Sequence, residues 1–250
     1  MAAVMPASSS KQPHKRRNTQ GEKTRLAILK AAARLFARDG YDKVSIRDIA
    51  DALDTLPSLI IHHFGTKREL YQKTLEHLIG DGKRIAETVE PLAGLDGTDR
   101  QAVANALAEC VHRFYEIWHS PQRTKYMAAL MLQVVYGRGA EGISGVKQWL
   151  SPADDAYRNI FRRVAPHLTH LEIEVRVEIF WGHLFYPSFV RDFLLTEYGW
   201  KDFPADWFLH WKKTVARDFC LGIGLPAPAF VFPGEAELEG TPPTELLSRV

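Results

Sequence analysis

Residues 40–53, GYDKVSIRDIADAL, and residues 62–70, HHFGTKREL, decide how this chain folds. Gly40 is a natural end for the helical segment before it, because glycine readily adopts the left-handed conformation found just after helices. Ser45 and Asp48 have the spacing of a capping box, in which two side chains satisfy free backbone N–H groups of a first helical turn. The two stretches therefore predict short helices joined by a tight turn.

The residues around these stretches complete a group of three helices. Apolar residues recur at helical spacing from Thr24 to Phe36, and Pro57 suits the first position of a third helix that runs to Phe64. The expected core residues are Ile28, Leu35, Phe36, Ile46, Ile49, Ala50, Leu59, Ile60 and Phe64. This order is typical of a helix-turn-helix, whose second helix enters the major groove of DNA. A plain three-helix bundle without a ligand explains the same geometry.

The rest of the chain also has a helical pattern, without the alternation and hairpin turns of strands. Helices are predicted at about 67–90, 98–119, 122–137, 152–165, 169–197 and 204–222. The fold class is therefore all-α, with an N-terminal helix-turn-helix domain and a larger helical domain. The predicted organisation is a disordered basic tail at 1–21, the helix-turn-helix domain at 22–70, a helical domain at 71–225, and a Pro/Glu-rich tail at 226–250 that is loosely ordered or packed as an irregular strap.

Charge is unevenly spread along the chain, although the formal net charge is only +2. Residues 1–80 hold 14 Lys and Arg against 8 Asp and Glu, and the remainder holds 18 against 22. A basic head on an acidic body fits contact with a polyanion, and charged faces that keep the protein in solution explain it equally well.

The two cysteines, Cys110 and Cys220, lie far apart and in no metal-binding spacing. No apolar run is long enough to cross a membrane, and no apolar segment follows the basic residues of the N-terminus. These features predict a cytoplasmic protein with free thiols and no membrane partner.

The three-helix segment resembles the DNA-binding domain of the TetR family. The residues that carry the resemblance are Leu29, Ala31, Ala32, Leu35, Phe36, Gly40, Tyr41, Ser45, Ile46, Ile49, Ala50, Ala52, Phe64, Lys67 and Leu70. The resemblance implies a homodimeric transcriptional regulator that binds double-stranded DNA at a near-palindromic operator. It further implies a repressor that a small-molecule effector, here apolar or aromatic, releases from DNA.

The resemblance also assigns DNA-binding roles to particular positions. It implies that Ser45 caps the second helix and meets a phosphate, that Arg47 lies near the DNA backbone, and that Lys67 holds the backbone at the start of the fourth helix. Helix N-termini and lysines are natural phosphate ligands. The other predicted DNA contacts are Thr55, Pro57, Ser58, Ile61, His62 and His63.

The turn and the third helix depart from the family pattern. The family usually has Gly-Val-Ser-Lys-Gly where residues 54–58 read Asp-Thr-Leu-Pro-Ser, and a tyrosine where this chain has Ile61. Asp54 must adopt a turn conformation that glycine takes more easily, and Leu56 cannot cap the helix as a hydroxyl would. Ile61 can contact a thymine methyl group. These departures favour an unusual operator or, alternatively, a helical protein-interaction module whose head has lost DNA binding.

The N-terminal tail has two interpretations. Its basic residues are Lys11, Lys15, Arg16, Arg17 and Lys23. They fit an arm that lies along a phosphate strand or in a minor groove, and they fit a solvated linker equally well.

The body is expected to contain the dimer interface and the effector site. The resemblance implies that the last two long helices of each copy, predicted at 169–197 and 204–222, pair with their mates in the dimer. The candidate interface residues recur at helical spacing on one face, although an intramolecular core explains much of this pattern; they are Trp207, Phe208, Trp211, Val215 and Phe219. Aromatic residues with a few polar tips suit an apolar or aromatic ligand. The candidate ligand contacts are His112, Tyr115, Trp118, Met127, Met131, Tyr136, Phe180, Trp181, His183 and Tyr186, and each is also a plausible core residue.

Two further motifs do not lead to a function. Residues 137–142 match GxGxxG but lack the strand and the following helix of a dinucleotide fold, so they are interpreted as a flexible connection. His167 and His170 resemble a metal pair that no carboxylate or cysteine completes. No catalytic constellation is present. The sequence therefore predicts no enzyme activity, no cofactor and no metal.

Overall fold

A computed structural model describes residues 14–79, 82–119, 121–136 and 140–238 of the 250-residue chain. These residues form helices and no strands, which confirms the predicted all-α fold. The helices are α1 (His14–Asp39), α2 (Ile46–Asp51), α3 (Pro57–Phe64), α4 (Lys67–Ile79), α5 (Gly82–Thr88), α6 (Arg100–Trp118), α7 (Pro121–Tyr136), α8 (Ala140–Val164), α9 (His170–Phe189), α10 (Arg191–Glu197), α11 (Ala205–Gly222) and α12 (Glu235–Leu238), with a short 3₁₀ helix at Glu90–Leu92.

The chain divides between His77 and Leu78 into two compact units, called here the head and the body. The first helix of the head begins at His14, upstream of the start expected near Thr24. The predicted disordered tail at 1–21 is thus wrong for residues 14–21, because no proline interrupts this stretch and its Lys, Arg and Gln residues favour helix. Residues 1–13 lie outside the described part of the chain.

The core of the head is the face that the apolar spacing predicted. Ile28, Phe36, Ile49 and Ile60 are fully buried where α1, α2 and α3 meet. Two other expected core residues, Ile46 and Leu59, are only half-buried. Because these three helices enclose a small volume, this core has little room to absorb a changed side-chain size.

The body is built around α6, which packs against α5, α9, α11 and the 3₁₀ helix. α8 begins at Ala140, well before the expected residue 152, and Pro152 lies inside it. A proline inside a helix costs about 3 kcal/mol. Here the next turns bury Ala153, Tyr157 and Phe161, and this burial favours continuing the helix. The predicted flexible connection is therefore wrong for residues 140–142, and residues 137–139 are not described.

Two long helices of the prediction appear as shorter pieces. The helix expected at 67–90 corresponds to α4 and α5, and residues 80–81 between them are not described. The helix expected at 169–197 ends at Phe189, and α10 follows after Val190. Pro187 in the last turn of α9 lacks the N–H that would donate to the preceding turn, which weakens the helix near this break.

The segment after Leu225 packs on α6 as an irregular strap, one of the two alternatives that the sequence left open. The Ala229 backbone N–H donates to Asn105 Oδ1 at 2.8 Å, and the Gln101 side-chain amide donates to the Ala227 carbonyl at 3.2 Å. Phe232 is buried. The strap ends at the short helix α12, and residues 239–250 are not described.

Candidate functional site

The start of α2 has the predicted capping box. The Ser45 hydroxyl accepts a hydrogen bond from the Asp48 backbone N–H at 3.2 Å, and Asp48 Oδ2 accepts one from the Ser45 backbone N–H at 2.7 Å. The backbone bond from Ser45, followed by the bond from its hydroxyl, holds the pKa of the Asp48 carboxyl below its usual value. Ser45 and Arg47 are both exposed in the first turn of this helix.

The turn before α3 has the two unusual features that the sequence predicted. Asp54 has a φ of +50°, which is a left-handed conformation. The TetR-family pattern usually has glycine at this position. Leu56 occupies the N-cap position without a side-chain hydrogen bond to the helix, and Pro57 is the first helical residue. Neither Asp54 nor Thr55 replaces the missing cap. The side chain of Leu56 is 71% exposed.

α3 buries one face in the head and presents the other to solvent. Ile60 and Phe64 are buried, whereas Ser58, Ile61 and His62 are exposed. The remaining predicted contacts on this segment, Thr55, Pro57 and His63, are half-buried. Burial, with His62 and then Arg25 nearby, lowers the pKa of the His63 imidazole.

Arg25 on α1 supports α3 from the inside, a role that the sequence analysis missed. Its guanidinium lies 4.7 Å from the centre of the Phe64 ring and donates to the His63 carbonyl at 3.4 Å. The pairing joins residues almost forty positions apart, so no local pattern predicts it. α3 is therefore held at its C-terminal end by a cation on an aromatic ring.

Lys67 stands in the first turn of α4. The Thr66 hydroxyl accepts from the Glu69 backbone N–H at 3.2 Å, and Glu69 Oε2 accepts from the Thr66 backbone N–H at 2.7 Å. Lys67 Nζ lies 3.4 Å from the Asp42 carbonyl oxygen and 4.4 Å from the centre of the Tyr41 ring. These contacts hold the ammonium group in a defined orientation.

The basic N-terminal residues lie partly in α1 and partly outside the described residues. Lys11 lies outside the described residues, and Lys15, Arg16 and Arg17 belong to the first turn of α1. Lys23 is exposed on the same helix. A DNA-contacting arm therefore stays a prediction.

Most of the predicted effector contacts lie in one aromatic interior of the body. Six are buried, namely Tyr115, Trp118, Met127, Met131, Phe180 and Trp181. His112 is half-buried beside Phe230 and Phe232 of the strap. His183 and Tyr186 are instead exposed on α9, and the side chain of Tyr136 is not described.

The same interior contains polar groups that the sequence analysis did not single out. Trp181 Nε1 donates to Asp154 Oδ1 at 2.6 Å. The Tyr157 hydroxyl and Trp118 Nε1 are buried with no hydrogen-bond acceptor among the described residues. Tyr157 follows Ala153 and precedes Phe161 at four-residue spacing on α8. If the helix continues through Pro152, the spacing of these three residues predicts one buried face of α8.

The residues predicted for the dimer interface divide between core and surface. Val215 is buried, and Phe219 packs on Phe161 and Phe180 at ring distances of 5.2 and 4.2 Å. These residues therefore contribute to the chain's own core, the alternative that the sequence left open. The rings of Trp207, Phe208 and Trp211 are half-buried and stacked in a row.

The exposed apolar residues of the body lie mainly on α9 and α10. They are Leu171, Val175, Ile179, Tyr186, Phe189 and Phe193. We call this set the α9 face. Trp211 of α11 stacks against it through Tyr186 at a ring distance of 5.6 Å.

The described ranges contain neither a cluster of metal ligands nor a helix that could span a membrane. His, Cys, Asp and Glu side chains in residues 14–79, 82–119, 121–136 and 140–238 do not come together in groups of three that would hold a metal ion. Within the same part of the chain, no helix is both long and apolar enough to cross a bilayer.

Known sequences match the head and part of the body. Residues 28–74 match the family described as "Bacterial regulatory proteins, tetR family". The chain is 33% identical over 115 residues to the HTH-type transcriptional repressor Rv3405c of Mycobacterium tuberculosis, which covers 45% of this chain and 60% of that relative. It is 30% identical over 101 residues to the HTH-type transcriptional repressor KstR2 of Mycolicibacterium smegmatis, which covers 37% and 49%. The chain thus matches less than two thirds of the length of these relatives.

Known structures share the fold over most of the chain. A TetR-family transcriptional regulator from Bordetella parapertussis superposes with a TM-score of 0.55 at 19% identity, covering 81% of this chain and 95% of that one. NalD, the secondary repressor of the MexAB-OprM multidrug efflux pump in Pseudomonas aeruginosa, gives a TM-score of 0.53 at 17% identity, covering 83% and 98%. At these identities the likeness is one of fold.

Proposed function

We propose that this chain, which belongs to the TetR family of bacterial regulatory proteins through residues 28–74, is a DNA-binding transcriptional repressor. The exposed face of α3 is the observation that carries the proposal. Ser58, Ile61 and His62 project from a short helix whose other face is anchored in the head. This is the disposition of a helix that enters a major groove. Rv3405c and KstR2 are both described as repressors, which supports repression rather than activation.

Groups for the DNA backbone surround this face. Ser45 and Arg47 are exposed at the N-terminus of α2, and Lys67 is oriented at the start of α4. Helix N-terminal N–H groups and cationic side chains hold phosphates and set the register of a protein on its duplex. We assign the backbone contacts to these three residues and the base contacts to α3.

A homodimer formed through the α9 face is part of the proposal. Leu171, Val175 and Ile179 recur at four-residue spacing, and Tyr186 continues the same side of the helix. An exposed apolar stripe of this length is typical of an interface. A second copy of the chain is the occupant that a near-palindromic operator requires, since each half-site needs its own α3.

The effector site is assigned to the aromatic interior of the body. A buried polar group without a partner costs about 1–3 kcal/mol, so two such donors in one interior favour a ligand that supplies acceptors. Those donors are the Tyr157 hydroxyl and Trp118 Nε1, for which the described residues provide no acceptor. The effector that fits is an aromatic or apolar molecule with an acceptor oxygen or nitrogen.

Effector binding would release DNA by changing the distance between the two heads. Half-sites one helical turn apart lie about 34–36 Å apart, so a shift of a few ångströms is enough to weaken binding. A coupling free energy of about 1–3 kcal/mol is typical of such linked sites. The helix that begins at Lys67 and continues to Ile79 is the connection along which the change would travel.

DNA retention tests the proposal directly. Purified protein should retain DNA from its own upstream region at low salt, and the affinity should fall steeply as salt rises. Lys67→Ala should weaken binding to every sequence and reduce the salt dependence by about one phosphate contact. Lys201→Ala removes the same charge from an exposed site in the body and should leave binding unchanged.

Failure to retain DNA at low salt would contradict the proposal and favour a protein-interaction module. Unchanged affinity of the Lys67→Ala variant would contradict the phosphate role of Lys67 while leaving DNA binding itself in place. The two results are therefore distinguishable in a single titration series.

A further inference from the structure

Two large apolar side chains, one at the N-cap of α3 and one on its outer face, are exposed to solvent. Among the described residues of the head, the exposed large hydrophobic residues are Leu26, Leu56 and Ile61, which are 40%, 71% and 52% exposed. Two of the three lie within one short segment, at the cap and on the outer face of α3. Leu56 and Ile61 are thus close together rather than scattered over the head, and their position needs a physical explanation.

The stability of the head does not explain why position 56 is a leucine. An N-cap is most favourable as Ser, Thr, Asp or Asn, and an apolar residue there loses about 1 kcal/mol of helix stability. Leu56 accepts no N–H through its side chain, and its exposure means that it gains little from burial. Leu56 therefore lowers the stability of the head. It lies at the N-terminal end of α3, where the helix would contact a partner.

The chemistry of α3 limits how it can read bases. The helix reads PSLIIHHF and contains no Arg, Lys, Asn or Gln. Those are the side chains that form bidentate hydrogen bonds with guanine or adenine in the major groove. Arg25 is directed to the inner side, where it contacts Phe64 and the His63 carbonyl. The exposed face therefore offers apolar surface, a hydroxyl and an imidazole.

Ile61 is suited to recognition by shape. A β-branched side chain in a helix strongly prefers one χ1 rotamer, so the γ-methyl group of Ile61 holds a definite position and little χ1 freedom is lost on binding. Its backbone is held as well, because the Ile61 carbonyl accepts the Gly65 N–H at 2.7 Å at the end of the helix. The apolar feature of the major groove is the C5 methyl group of thymine.

We propose that Ile61 and Leu56 recognise thymine methyl groups, so that each operator half-site is read mainly through thymine rather than through guanine. The inference rests on the proposed DNA binding and names the base chemistry of that same site. Ser58 and His62 supply the polar contacts beside the methyl groups. Leu56 extends the apolar surface beyond the N-terminal end of α3.

The test uses the full chain and uracil in place of thymine. Duplexes that the protein retains are first selected from a random pool, and each thymine of the selected half-site is then replaced in turn by deoxyuridine. This exchange removes one methyl group and leaves base pairing intact. Burial of one such group changes affinity by about fourfold. We expect a loss of that size at one or two thymines per half-site, measured by fluorescence anisotropy at constant salt.

Variants identify which side chain makes each contact. In Ile61→Ala, one of the sensitive thymines should become indifferent to deoxyuridine, and in Leu56→Ala a different one should. Leu26→Ala shortens an exposed apolar residue of α1 and should keep the full thymine sensitivity of the unchanged protein. Because all three side chains are largely exposed, the variants are expected to fold, which circular dichroism checks.

The outcomes separate this inference from the function on which it rests. If the protein selects no duplex, the proposed DNA binding fails and this inference fails with it. If it selects duplexes that bind equally well with uracil, or if Ile61→Ala and Leu56→Ala keep every thymine effect, the methyl readout is overturned and DNA binding stands. A selected half-site without thymine would overturn it as well.

Discussion

His119 sits at the end of α6 among groups that favour its neutral form. Its Nε2–H lies 3.3 Å from the Leu184 carbonyl, which leaves Nδ1 to accept from the Ser188 hydroxyl at 3.4 Å. Its ring also packs on Tyr115 and Phe208. Burial, more than the neighbouring charge of Lys212, lowers the pKa of the imidazole from 6.5 to about 4.

The lowered pKa of His119 predicts a loss of stability in acid. Between pH 6.5 and 4 the unfolded chain binds a proton at this position and the folded chain does not, so the contribution is complete above 6.5 and is lost as the pH falls. The loss is about 3 kcal/mol by pH 4. His119→Gln keeps a donor without titrating, and urea unfolding should show a correspondingly shallower fall in the free energy of unfolding. The exposed His170→Gln is the control, and equal slopes in both variants would refute the assignment.

The two tyrosine hydroxyls in the aromatic interior differ in their partners. The Tyr115 hydroxyl accepts from Trp211 Nε1 at 2.6 Å and donates to the His183 carbonyl at 2.9 Å. The Tyr157 hydroxyl has no acceptor within the described part of the chain. The first hydroxyl joins α6, α9 and α11, and the second is the group that the proposed effector would contact.

This difference predicts opposite results for two matched substitutions. Tyr157→Phe removes an unpartnered hydroxyl and should leave the free energy of unfolding unchanged or raise it by about 1 kcal/mol. Tyr115→Phe breaks two buried hydrogen bonds and should lower it by about 1–3 kcal/mol. Thermal unfolding followed by circular dichroism compares the two directly. A similar loss in both variants would mean that Tyr157 has a protein partner.

At the scale of the element, capping boxes begin helices in both units. Ser45 with Asp48 opens α2 in the head, and Thr169 with Glu172 opens α9 in the body. In both boxes the hydrogen bonds from the cap residue lower the pKa of the carboxyl group. The two caps are chemically alike, but only the one in the head lies beside the proposed DNA contacts.

Replacing either cap hydroxyl should lower the stability of its unit, whereas only the replacement in the head should also weaken DNA binding. Ser45→Ala and Thr169→Ala should each destabilise their unit by about 1 kcal/mol, because a backbone N–H loses its acceptor. DNA affinity should fall in Ser45→Ala alone. Chemical unfolding and anisotropy titrations on both variants provide the measurements. Equal DNA affinity in the two variants would remove Ser45 from the interface.

At the scale of the whole molecule, the α9 face is an exposed apolar surface of the body. Its residues alternate with the buried Ile173, Val177, Phe180 and Leu184, so α9 is apolar on two sides. One side completes the core of the body. In the proposed dimer, a second copy of the chain would bury the other side.

A charge placed in the middle of this face should prevent dimerisation. In a symmetric interface Ile179→Glu buries two carboxylates, one from each copy, and should raise the dissociation constant of the dimer by more than about tenfold. Size-exclusion chromatography with light scattering measures the mass at several concentrations. Val231→Glu makes the same change on the exposed strap and should remain dimeric. A monomer in the unchanged protein, or a dimer in the Ile179→Glu variant, would exclude this face.

The local features of the head followed from the sequence alone. The capping box at Ser45, the left-handed Asp54, the uncapped Leu56 and the extent of α3 all appear where the pattern indicated them. Each depends on residues within one turn of each other, so the short-range chemistry that a sequence displays is enough to determine it.

Tertiary packing decided what local patterns leave ambiguous. Pro152 indicated a break, but burial of the following turns carries α8 through it. In α9 and α11, apolar residues lie on more than one side, so spacing did not distinguish the buried Val215 from the exposed Tyr186. The inward side of such a helix depends on the surfaces packed against it, and those come from distant parts of the chain.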